Sequence, residues 1–107
     1  MSDSETPTEW SEDSSDTWSH SRLPINLELI GIGDEWDVEV TPLPDDMPWH
    51  SVRVNIRNDN KKQEREVAMS YMSEFNDIEF DVREEHPELS EERKVLIAAT
   101  EAILNLR

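Results

Sequence analysis

Cysteine is absent from the 107 residues, which excludes disulfides, thiolate metal sites and a thiol nucleophile. Glycine is nearly absent as well. The two that occur, Gly31 and Gly33, flank Ile32, so the chain holds no glycine-rich phosphate cradle and the pair most simply permits a hairpin turn. Lysine is confined to Lys61, Lys62 and Lys94. No long apolar run exists: the stretch from Val95 to Ala99 falls far short of the roughly 20 residues that cross a bilayer. The opening MSDSETPTEW shows neither a basic leader nor an apolar core, so a signal peptide is not expected and a cytoplasmic location is.

What the chain has in excess is negative charge. Twenty-six acidic residues stand against ten basic ones, a net charge of −16. Charge of this size repels itself and works against compaction, so it is either spread over a flexible segment or put to use. A nucleic-acid ligand is not expected, because phosphate backbones are held by clustered Lys and Arg. Anionic membranes are disfavoured for the same reason. A basic protein is the partner that this field attracts. Adaptation to concentrated salt is the bland alternative, and the scarcity of lysine suits it.

Catalytic constellations are thin. His20, His50 and His86 have no i, i+4 partner on a helix, and no serine stands in a nucleophile elbow. His86 lies among Glu84, Glu85 and Glu88, a setting read as a solvated charged loop rather than a metal site. No enzyme activity, cofactor or metal is therefore expected.

Along the chain, residues 1–23 are rich in Ser, Thr, Asp and Glu, with Trp10 and Trp18 as the only large apolar groups before Leu23. Such composition predicts a disordered acidic tail, and the two Trp resemble the acidic–aromatic pattern of segments that fold on binding. Residues 24–107 read as one small domain. Ile25, Leu27 and Leu29 alternate with polar residues, then Trp36, Val38 and Val40 do so after a Gly-Asp-Glu turn, predicting an antiparallel hairpin. Val52, Val54 and Ile56 alternate likewise over 51–58, the clearest strand signal. A helix is predicted over 61–75, introduced by the caps in Asn58-Asp59-Asn60. Ile78, Phe80 and Val82 then predict a short fourth strand over 78–82, with a continued helix as its rival. Ser90 caps a last helix running to Leu106. The expected fold is α+β: an antiparallel sheet of three to four strands with two helices on one face, in the order β-β-β-α-β-α. So modest a core makes a homodimer credible.

The pointed features are rows of acids. On a strand, Asp77, Glu79 and Asp81 share one face with neighbours about 6.6 Å apart, and Glu84 and Glu85 extend the row. A second group gathers in turns and loops: Asp34, Glu35 and Asp37, with Asp45 and Asp46. Trp36 reads as core. Trp49, between prolines and acids, is either core or a partner-facing anchor of the kind found at interface hot spots.

In size, acidity and lack of cysteine the chain resembles several groups of small inhibitors: DNA-mimic proteins, phage anti-restriction and anti-CRISPR proteins, and immunity proteins that block basic nucleases. The resemblance rests on overall character, covers no motif and transfers no residues. It implies an inhibitor that covers the basic, nucleic-acid-binding surface of another protein. The alternative is an adaptor or chaperone-like module whose acidity serves only solubility or salt adaptation.

Overall fold

The computed structural model describes residues 6–14, 16–42 and 51–107. Five strands, β1 (Trp10–Ser14), β2 (Thr17–His20), β3 (Ile25–Ile32), β4 (Glu35–Pro42) and β5 (Val52–Arg53), form an antiparallel sheet whose spatial order follows the chain. Two helices follow, α1 (Lys61–Glu85) and α2 (Glu91–Leu106). The protein is thus α+β, but with five strands instead of three to four, and with all the strands before both helices.

The β3–β4 hairpin forms as the alternation predicts. Leu29 faces Val38 and Leu27 faces Val40 across the ladder, all four buried, while Asn26 and Glu28 are exposed on the opposite face. Gly33, at φ +62, supplies the left-handed residue of the turn. The Trp36 ring lies 3.8 Å from where a Cβ on its cross-strand partner Gly31 would stand.

The expectation of a disordered tail fails for β1 and β2. Composition argued for disorder because Ser, Asp and Glu bury little, yet both Trp are buried, Trp18 completely. Trp18 and His20 alternate inward and pair with β3 through Trp18 and Leu27. Trp10 meets Phe75 of α1 edge to face at 5.6 Å and donates its indole N–H to Asn76 Oδ1 at 3.0 Å. Residues 1–5 lie outside the described part.

The predicted strand over 78–82 is instead the last third of α1. Period-2 alternation of Ile78, Phe80 and Val82 is outweighed by a longer period: Ala68, Tyr71, Met72, Phe75, Glu79 and Val82 recur every three or four residues and are all buried. The helix predicted to end at residue 75 runs on through Asn76 to Glu85. The Asn76 side chain serves β1, donating to the carbonyl of Thr8 at 2.9 Å.

The clearest predicted strand, 51–58, pairs as a ladder only at Val52 and Arg53. Asn55 takes φ +65, a left-handed residue that kinks the strand, and contact with β4 resumes where Asn58 bridges Trp36. Asn60 caps α1 by accepting from the backbone N–H groups of Lys62 and Gln63, and Ser90 caps α2 by accepting from Arg93. The core joins the inward strand residues to Ala68, Tyr71, Met72 and Phe75 of α1 and to Val95, Ala98, Ala99 and Ala102 of α2.

Candidate protein-binding surface

The acids anticipated as a binding row part company in the fold. Asp34 and Glu35 are exposed at the β3–β4 turn. Asp37 is fully buried. Its Oδ1 accepts from the backbone N–H of Val38 at 2.8 Å and of Asn55 at 3.1 Å, and its Oδ2 lies 3.4 Å from Arg57 Nε. This carboxylate holds the kink at Asn55 in place and is not presented to a partner. Asp45, Asp46 and Trp49 lie outside the described residues.

On a strand Asp77, Glu79 and Asp81 would share a face; on a helix Glu79 turns about 200° from Asp77. Glu79 is accordingly buried and paired with Arg83 at 3.2 Å. Asp77, Asp81 and Glu84 remain, spaced four and three apart on the outer side of α1, all exposed, with Glu85 beside them. Exposed Glu88 and Glu91 carry the negative surface across the turn into α2. From Glu74 to Glu92 nine acids accompany one arginine, net −8, so 19 residues hold half of the chain's charge.

The cations nearest this end are Arg83, paired with the buried Glu79, and Arg93 and the buried Lys94 at the start of α2, while others are engaged elsewhere. Lys61 pairs with Asp16 at 3.0 Å and Arg65 with Glu12 at 3.2 Å, bracing the first turns of α1 to the N-terminal strands. The same two groups lie over Trp36 and Trp18, 4.9 and 5.2 Å from the ring centroids. Arg22 pairs with Glu9, and its hydrogen bond holds that carboxylate below the ordinary range.

α1 is therefore polarised against its own dipole. Lys61, Lys62 and Arg65 stand near its N-terminus and Asp81, Glu84 and Glu85 near its C-terminus, with Glu64 in the first turn and Arg83 in the last as the exceptions. A helix favours the reverse, by about 0.3–1 kcal/mol per exposed charge, and like charges at i, i+3 and i, i+4 add repulsion. The arrangement detracts from stability.

Between the outer sides of α1 and α2 runs a groove of about 550 Å³. Its apolar lining is the buried Val82 and the half-buried Ile78 from α1 and the half-buried Ile97 from α2, and the exposed Asp81, Glu85, His86, Glu101 and Asn105 complete it. Glu101 and Ile97 escape the sequence reading. Their signal is the spacing 97, 101, 105 along α2, whose last member, Asn105, donates to Glu74 across the groove at 3.2 Å.

Two buried titratable groups lie apart from this surface. His20 Nδ1 accepts from the backbone N–H groups of Arg22 and Leu23, both at 3.1 Å, so the ring is neutral with its proton on Nε2. Burial holds its pKa below the ordinary value; Arg22 adds to the effect and Glu9 opposes it. Burial raises the Glu64 carboxyl, against the hydrogen bond from Asn58, and the charge of Asp37 raises it further.

Among the described residues no three His, Asp or Glu side chains are grouped to hold a metal ion, and no helix is long and apolar enough to cross a membrane. Comparison with family models, curated proteins and solved structures gives no match.

Proposed function

We propose that this protein is an acidic inhibitor that covers the basic, nucleic-acid-binding surface of another protein. The observation that carries the reading is the crowding of Asp77, Asp81, Glu84 and Glu85 along the C-terminal part of α1, where mutual repulsion opposes all four and the dipole opposes Glu84 and Glu85 in the last turn. Charge kept where it weakens the fold is charge with another use. Exposed carboxylates in a helical row carry a strong local field, which speeds encounter with a cationic surface and suppresses anionic partners.

The test is a capture experiment from host lysate, with the protein and a variant carrying Asp77→Asn, Asp81→Asn, Glu84→Gln and Glu85→Gln as paired baits. The wild type is expected to retain basic nucleic-acid-binding proteins that elute with rising salt and are displaced by duplex DNA. The variant is expected to melt higher and to retain them less. A variant that melts higher yet captures the same proteins at the same salt would transfer the function to apolar surface, as in an adaptor whose acidity serves solubility.

A further inference from the structure

We propose that the groove between α1 and α2 receives a basic amphipathic helix of the partner. The inference rests on the reading above and specifies the element that the acidic surface recognises. A flat cationic surface would need only exposed carboxylates. This site adds concavity and an apolar lining, the half-buried Ile78 and Ile97 with the buried Val82. Carboxylates stand on both walls, Asp81 and Glu85 from one helix and Glu101 from the other. An apolar ridge flanked on both sides by Lys or Arg is the complement of that cross-section. Asp77 and Glu84, further out on α1, extend the favourable field beyond the walls.

The two helices are joined by residues 86–90 and run back along one another, with Tyr71 hydrogen-bonded to Ala99 and Asn105 to Glu74. Their shared outer side thus offers a furrow of the kind into which a third helix packs ridge into groove. From Ile78 to Glu85 on α1 and from Ile97 to Asn105 on α2 the groove spans about 10–12 Å, from the helical rise per residue, enough for two turns of a bound helix. Apolar residues on that helix spaced three or four apart would meet Ile78 and Ile97 in turn. A second copy of this chain is a poor occupant, since it brings a further −16 and the walls of both grooves are acidic.

The experiment uses the full chain and two labelled peptides of about 14 residues, each built from the same numbers of Leu, Lys, Arg and Ala. One places Leu at i, i+3 and i+4 on a single helical face; the other is permuted so that no face is apolar. Fluorescence anisotropy at physiological salt measures affinity, and methyl NMR follows Ile78 and Ile97. The amphipathic peptide is expected to bind at least about tenfold tighter, a difference of about 1.4 kcal/mol, and to shift both methyl groups. Ile97→Ser, at a half-exposed position, is expected to remove most of that preference. Equal affinity for the two peptides, with both methyls unmoved, overturns the groove as the seat while leaving the acidic surface as a binding site. Failure of both peptides to bind even at low salt overturns the inference together with the function it rests on.

Discussion

Asp37 offers the sharpest test of how this fold is held, because one buried carboxylate organises a segment that would otherwise have little to fix it. In Asp37→Ala the backbone N–H of Asn55 loses its acceptor and the Arg57 guanidinium loses its partner. A hydrogen bond to a charged acceptor contributes about 1.5–3 kcal/mol, and a buried donor left unmade costs about 1–3 kcal/mol. Arg57 is more than a third exposed and resolvates, so its pairing adds at the low end for an ion pair. The sum is a loss of about 2–4 kcal/mol, against a total of about 5–15 kcal/mol for a domain of this kind. Urea unfolding followed by tryptophan fluorescence measures it as a lower midpoint at unchanged slope, with a melting temperature lower by roughly 8–16 °C. Asp37→Asn keeps Oδ1 as an acceptor and should lose about half as much. Amide exchange localises the effect: Asn55 and Val54, whose N–H bonds to Val38, should lose protection before the β3–β4 ladder does. A loss below about 0.5 kcal/mol, the range of ordinary surface substitutions, with Asn55 exchange unchanged would refute the role assigned to this carboxylate.

Two further perturbations address the N-terminal strands. Trp10→Ala removes an edge-to-face partner of Phe75 and His20 and a donor to Asn76, so thermal unfolding should show a loss of about 3–5 kcal/mol; stability equal to wild type would make β1 peripheral. For His20, the folded pKa lies below that of the unfolded chain, near 6.5. Its contribution is complete above pH 6.5 and is lost as pH falls through the lower folded value, because the unfolded chain then binds more protons. His20→Asn retains an acceptor and does not titrate, so urea midpoints for this variant should decline less below pH 6.5. A decline identical to wild type would place the acid sensitivity elsewhere.

Periodicity was most informative where it was longest and unopposed. The β3–β4 hairpin, its glycine turn, α2 and both helix caps follow from residue order, since each depends on neighbours within a few positions. The segment 78–82 could be read two ways because five residues satisfy both a strand and a helix period. Burial of Phe75, Glu79 and Val82 along one stripe decides between them, and that stripe exists only once the sheet supplies a surface to pack on.

The candidate surface divides along the same line. By itself the sequence determines the sign and size of the charge, the crowding of half of it between Glu74 and Glu92, the absence of thiol chemistry and the α+β class. Tertiary structure alone decides which carboxylates are available: Asp37 and Glu79 turn inward to Asn55, Arg57 and Arg83, while Asp77, Asp81, Glu84 and Glu85 stay in solvent. It also draws the acidic N-terminal segment into the sheet and sets Ile97 and Glu101 across from Ile78 and Asp81. The physical reason is common to all of these. Charge and local propensity are properties of residues and their near neighbours, whereas burial and groove shape arise from contacts between segments far apart in the chain, where two tryptophans with an α-helix to pack on outweigh a disorder-prone composition.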